Sequence, residues 1–260
     1  MFRIAREAIV FSAILVVIGH ARAQGTKPPK VSSIEVRGNK TLNRASILAA
    51  AGLKVGDVAT PAVLEAARRS LLATGNFGMR RISNPEEAVK LSVTDVNLAT
   101  NEGKLLIEVE ENDVVQGFNI SGVGPIPPRE VLAQLQTKPG FVLNINTLRA
   151  DVDRIQRYYD SRGYIANVSE EGFGLTDGIL AFPIIVGRVG TIVFKGLSPA
   201  QRAEFRKLIR LKPGDYYNAR EFERAYRKMF RKDIFEDIQP SILTPQPATV
   251  NLILNFIEKK

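Results

Sequence analysis

Three times along the chain a short alternation of apolar and polar residues gives way to stretches of helical period and then returns to alternation. The last pass, from Val189 onward, is the most regular. Thr191-Ile192-Val193-Phe194 has the period of a strand and Lys195-Gly196-Leu197 reads as a turn. Ser198-Pro199-Ala200-Gln201 then combines an N-cap, a proline at the first helical position and a capping-box partner, predicting a helix that ends near Leu211-Lys212-Pro213-Gly214-Asp215. Phe222, Ala225, Tyr226, Met229 and Phe230 recur at i, i+3, i+4, i+7 and i+8. They predict a second helix from Ala219 to Lys232 that turns Arg224, Arg227, Lys228 and Arg231 to solvent. Ile234 to Ile238, a Pro-rich turn, and Val250 to Phe256 predict two closing strands.

The same order, strand, helix, helix, strand, strand, can be laid on the earlier chain in register. Gly38, Gly122 and Gly196 each stand 18 residues before a second glycine, Gly56, Gly140 and Gly214. Spacing alone is weak in a chain with 20 glycines, so the flanks decide. Two and four residues before the first glycine lie Val36 and Ile34, Ile120 and Phe118, Phe194 and Ile192, one face of a strand each time. After it, Ile47 and Ala51, Val131 and Leu135, Phe205 and Ile209 fall on one face of a helix. Lys54, Lys138 and Lys212 precede the second glycine, and Leu64, Leu148 and Phe222 follow it. Leu148, Val152, Ile155 and Tyr159 form a helical stripe in the second copy; Leu64, Ala67, Leu71 and Leu72 do so in the first. The fold class is therefore α+β, three tandem β-α-α-β-β domains, over residues 31–111, 112–187 and 188–260. In the first domain the middle strand is either Gly78 to Ile82 or Val89 to Asn97.

The N-terminus has a different character. Arg3 and Arg6 precede an uncharged apolar run from Ala8 to Ile18, and Ala21-Arg22-Ala23 is a small-x-small pattern before Gln24. This predicts a signal peptide over residues 1–23, cleaved between Ala23 and Gln24. The run is well short of the roughly 20 apolar residues of a spanning helix. Residues 24–30 are a polar, Pro-containing linker. Cleavage removes three arginines and one glutamate, lowering the formal charge from +9 to +7. It also removes His20, the only histidine, from a chain that has no cysteine. Thiolate and imidazole chemistry are then excluded, and no paired-carboxylate or nucleophile motif takes their place. We expect no enzyme activity, cofactor or metal site.

Three groups of residues carry a family resemblance: Gly38-Asn39 after a strand, Leu53-Lys54-Val55-Gly56-Asp57 between helices, and Leu71-Leu72-Ala73-Thr74-Gly75-Asn76-Phe77 closing the second helix. Together they resemble a POTRA domain, the periplasmic module of BamA-like outer-membrane insertases. Tyr158-Tyr159-Asp160-Ser161-Arg162-Gly163-Tyr164 is similar to the same helix end in the second copy, whereas the third has Asp233-Ile234-Phe235 without a glycine. The resemblance implies a three-stranded sheet with two helices on one face, repeated in an arm, and a middle strand at a sheet edge. A free edge binds an extended chain through its backbone, with little regard to side chains. Tyr164-Ile165-Ala166-Asn167-Val168, alternating and free of Pro, is the candidate client-binding edge; Pro240 and Pro245 should blunt that of the third domain. Gly38, Gly56, Gly122, Gly140, Gly196 and Gly214 are the structural repeat positions. Glu111-Asn112-Asp113 and Gly187-Arg188-Val189 are short links, expected to act as hinges of a semi-rigid arm.

Other features have plainer readings. Pro125, Pro127 and Pro128 occupy the place where a phosphate-cradling helix would begin after Gly122-Val123-Gly124. Glu108, Glu110 and Glu111 read as solvated carboxylates. The basic run Arg220 to Lys232 reads as a solvated helix face rather than a nucleic-acid patch, with attraction to anionic lipid headgroups as a minor role. By this reading the protein is exported, periplasmic and associated with the outer membrane. It serves as a scaffold or chaperone-like arm in β-barrel assembly, with unfolded outer-membrane clients and a barrel partner, in the same gene product or separate, docked by the third domain. Polypeptide transport or two-partner secretion is the alternative within the fold. A structural envelope or cell-division module binding a folded partner is the alternative outside it.

Overall fold

The computed structural model describes residues 27–79 and 84–259. The predicted signal peptide and its Ala23/Gln24 cleavage site lie outside the described residues. The first unit contains β1 (Lys30–Arg37), α1 (Arg44–Ala51), α2 (Pro61–Ala73), β2 (Val89–Asn97) and β3 (Glu102–Val109). The second contains β4 (Gly117–Ser121), α3 (Pro128–Leu132), α4 (Ile145–Asp160), β5 (Ala166–Val168), β6 (Gly174–Thr176) and β7 (Ile179–Val186). The third contains β8 (Arg188–Lys195), α5 (Pro199–Arg206), α6 (Ala219–Phe230), β9 (Phe235–Gln246) and β10 (Thr249–Glu258). Of the two sequence candidates for the first unit's middle strand, Val89–Asn97 forms it. A short 3-10 turn at Pro85–Ala88 leads into it.

In every unit the last strand in sequence is central. The orders are β1-β3-β2, β4-β7-β5 with β6 also on β7, and β8-β10-β9. The first strand runs parallel to the central one, reached through the helix pair as a parallel connection requires, and the middle strand runs antiparallel to it. Inward positions alternate along β3, β7 and β10, and each sheet has its own apolar cluster. Leu71, Leu105 and Ile107 are fully buried in the first, Ile155, Tyr159 and Phe182 in the second, and Phe205, Leu252 and Leu254 in the third.

The repeat glycines have two separate physical reasons. A Cβ on Gly122 would stand 2.0 Å from the Ile184 carbonyl oxygen, and Gly38 and Gly196 press equally on Val109 and Phe256. The loop after the first strand thus crosses directly over the backbone of the central one. Gly56, Gly140 and Gly214 have open space around them but positive φ. Their N–H groups donate to Val31, Val115 and Val189, pinning the loop before the second helix to the start of the first strand.

Two expectations change. The Pro-rich turn after Ile238 is strand: β9 runs through Pro240 to Gln246, paired with β10. Pro is tolerated there because β9 is an edge. Glu111 is not a solvated carboxylate. It is 7 % exposed, and its oxygens accept from the backbone N–H of Lys40, Thr41 and Leu42. This organises the loop that follows Gly38. Asp151, fully buried on α4, does similar work for Gln136 and Thr137 and pairs with Arg154.

Candidate functional site at the sheet edges

In an antiparallel ladder, alternate residues direct both backbone groups at the partner strand, and the ones between direct both away. Glu110 N–H donates to the Ala88 carbonyl, so the ladder-bonded residues of β2 are Lys90, Ser92 and Thr94. Val89, Leu91 and Val93 direct their backbone groups away from β3, where no described strand pairs with them, but Val89 is fully buried and its N–H is taken by the Glu86 carbonyl, so Leu91 and Val93 carry the open edge. The open edge runs straight through Leu91 and Val93 until Asp95, whose φ of 51° breaks the register. Beside it lies a groove of about 500 Å3 between α2 and β2, lined by Leu64, Arg68, Glu86, Val89 and Leu91 among others. Arg68 bridges Glu65 and Glu86 across one wall.

The second unit's edge is shorter than expected. Gly187 N–H donates to the Ile165 carbonyl and Ser169 N–H to that of Pro183, which leaves Ala166 and Val168 facing outward. Tyr164 is bridged to Asn218 of the third unit, and Ile165 packs against the third unit's apolar cluster. Of the five residues Tyr164, Ile165, Ala166, Asn167 and Val168, the first two therefore belong to the joint with the next unit. Beyond Val168 the strand breaks and resumes as β6, which ends in an Asp177-Gly178 turn with both φ positive. Alternation in the sequence could not reveal this division, because the competing partner is more than 50 residues away.

In the third unit the Ile238 N–H donates to Asp237 Oδ1 at 2.8 Å and the Ile238 carbonyl accepts from Tyr226 OH at 3.0 Å. Both groups of this outward residue are occupied locally, and the next outward residue is Pro240, which has no donor. The basic face of α6 is partly neutralised as well. Arg224 and Arg227 pair with Glu221 and Glu223, and Arg220 donates to the Ser161 carbonyl.

The unit joints share one geometry. At the first, Asn144, the N-cap of α4, donates through Nδ2 to the Thr74 carbonyl; Ile145 N–H donates to Gly75 and Asn146 Nδ2 to Ala73. At the second, Asn218, the N-cap of α6, donates to Arg162; Ala219 N–H donates to Gly163 and Arg220 to Ser161. Asn112, 3 % exposed, further braces the first joint by donating to Gly75 and Leu143. Among the described residues no group of His, Cys, Asp and Glu could hold a metal ion, and no helix is long and apolar enough to cross a membrane.

Comparison with known proteins bears on all three units. The family model described as POTRA, surface antigen variable number repeat, matches residues 29–112, 114–179 and 187–259. The outer membrane protein assembly factor BamA of Nitratidesulfovibrio vulgaris is 21% identical over 223 residues, 81% of this chain and 26% of that protein. The chloroplastic outer envelope protein 80 of Arabidopsis thaliana is 24% identical over 182 residues, 65% of this chain and 24% of that protein. The chain thus spans about a quarter of the length of these relatives. Among solved structures, the N-terminal domain of Omp85 from Thermosynechococcus elongatus superposes with a TM-score of 0.71 at 21% identity, covering 89% of this chain and 97% of that one. POTRA1-3 of Omp85 from Anabaena gives 0.64 at 20% identity, with 90% and 98% covered.

Proposed function

Because this chain belongs to the POTRA family, we propose that it is a non-enzymatic periplasmic arm of an outer-membrane assembly system, receiving extended β-rich chains by strand addition to its free sheet edges. The observation that carries this reading is the outward pair Leu91 and Val93 beside the α2–β2 groove. It offers backbone donors and acceptors in strand spacing, with room alongside for alternate side chains of an incoming segment. The second unit contributes a shorter edge at Val168, since Ala166, though its backbone faces away from β7, is buried. The third, its edge occupied at Ile238 and lacking a donor at Pro240, is the unit that docks a membrane barrel. Lys228 and Arg231, on the outer face of the last helix, are the residues for any contact with anionic headgroups.

Support comes from sequence similarity to proteins named as outer membrane assembly factors and from a fold shared with the N-terminal domain of an Omp85 protein. Photo-reactive residues at the exposed edge positions Ser92 and Asn167 test the reading in cells. They should trap several unfolded barrel precursors. Capture of a single dedicated polypeptide would instead indicate secretion of one substrate, and capture of only a folded envelope protein would refute client handling.

A further inference from the structure

The two joints are built from the same three donors and the same three acceptors. In each, the N-cap Asn of a unit's second helix, the N–H of the next residue and the side chain of the residue after that donate to three successive carbonyls at the end of the previous unit's second helix. The last of those carbonyls belongs to a glycine, Gly75 or Gly163, with φ of 79° or 83°. The absence of a side chain matters as much as the φ. A Cβ on Gly75 would lie 2.9 Å from Asn146 Nδ2 and 3.0 Å from Asn144 Oδ1. One on Gly163 would lie 3.0 Å from Asn218 Oδ1 and 3.3 Å from the backbone nitrogen of Arg220. Donor segment and glycine therefore fit as plug and socket.

The first unit's plug position and the third unit's socket position do not repeat the fit. In the first unit the plug position holds Thr60-Pro61-Ala62: Thr60 lacks an amide donor, Pro61 has no N–H, and Ala62 has no polar side chain. Thr60 still caps its own helix, accepting from Val63 N–H, so the helix keeps what it needs while the amide donor of the N-cap, the N–H after it and the polar side chain after that are gone. In the third unit the socket position holds Asp233. Its N–H donates to Phe230 as that of Gly163 does to Asp160, and its φ is 53°, so the backbone is the same. Aspartate tolerates this left-handed conformation, but its side chain fills the space that the plug occupies in the other joints. The carboxylate is held by Lys259 at 2.8 Å.

We propose that this plug and socket fixes the relative orientation of consecutive units, and that Thr60-Pro61-Ala62 and Asp233 keep the start of the first unit's second helix and the end of the third unit's second helix from forming such a joint. Another copy of the chain, or a further repeat placed after the third unit, finds no socket there; a partner of the third unit must use a different surface. The inference does not depend on what the edges bind.

The chain has no native cysteine, so pairs of spin labels on exposed residues can report each joint by pulsed dipolar distance measurement. With labels at Asp153 and Lys195, the wild-type chain should give one narrow distance peak. Asn218→Asp keeps the cap acceptor and loses the amide donor; Gly163→Asp makes the second socket resemble the third. Both should abolish the narrow peak while the far-UV spectrum and the melting of the units are unchanged. A narrow peak retained in Asn218→Asp would overturn the proposal, whatever Gly163→Asp does to folding. The block at Asp233 is tested by fusing a second copy of residues 188–259 after Lys259. The added unit should tumble freely, and Asp233→Gly should lock it. A fused unit that is locked with Asp233 in place would refute the block.

Discussion

Proline scanning of β2 separates its two rows of backbone groups at adjacent positions. Ser92 is ladder-bonded opposite Leu106, whereas Leu91 faces outward. Ser92→Pro removes the bond of its N–H to β3 and orphans the Leu106 carbonyl in the sheet interior. A lost bond and an unsatisfied acceptor together cost roughly 2–4 kcal/mol. Leu91→Pro breaks no bond within the unit, since an edge strand accepts Pro where the N–H would meet solvent. It forfeits only part of a half-buried side chain, about 1 kcal/mol. For client binding the order reverses. Leu91→Pro deletes one of the two open outward donors, leaving that of Val93, and pushes a ring towards the incoming strand, which should weaken capture by about tenfold, or 1.4 kcal/mol. Denaturant unfolding of the first unit gives one axis, and affinity for an extended β-strand peptide, read by fluorescence anisotropy, gives the other. If Leu91→Pro unfolds the unit as readily as Ser92→Pro, the assignment of rows is wrong. If it folds well and binds the peptide undiminished, this edge is not the receiving strand.

Other expectations follow from single contacts. Gly122→Ala forces a Cβ onto the Ile184 carbonyl and should destabilise the second unit by about 3 kcal/mol or more, whereas Gly140→Ala, strained only by its φ, should cost about 1 kcal/mol; parallel melts would show whether the ranking holds. Asp151→Ala orphans the N–H groups of Gln136 and Thr137 and should cost about 3 kcal/mol with no effect on the first unit, which separate melting transitions would reveal. Burial raises the phenols of Tyr159 and Tyr217. The fold holds the neutral form, so the stability this contributes is complete below the ordinary phenol pKa of about 10 and declines as pH rises above it. An alkaline titration should therefore unfold the second and third units, and Tyr159→Phe should move the transition of the second to higher pH.

The repeat itself was legible because it rests on local requirements. Helical stripes, the Ser198 capping box and the paired glycines are properties of neighbours in the chain; the structure forms the capping box at the start of α5 and places the paired glycines in corresponding positions of all three units. The edge row was only half legible. Alternation marks Tyr164 to Val168 as a strand, but which backbone groups are free depends on pairing with Ile184 to Gly187 and on Asn218, distant residues with no local trace. Glu111 reads as a surface carboxylate until the loop after Gly38 folds back onto it from about 70 residues away. The missing glycine at Asp233 stands out in the sequence as a departure from the repeat. Its consequence emerges only when Asn144 and Asn218 are seen seated in the two earlier sockets.

What the sequence determines alone is the series of units: apolar period, caps and turns select the order strand, helix, helix, strand, strand without reference to anything far away. Which edges are open, which carboxylates are buried and how the units lock are settled by the tertiary structure. A backbone donor is free or taken according to what long-range packing brings against it.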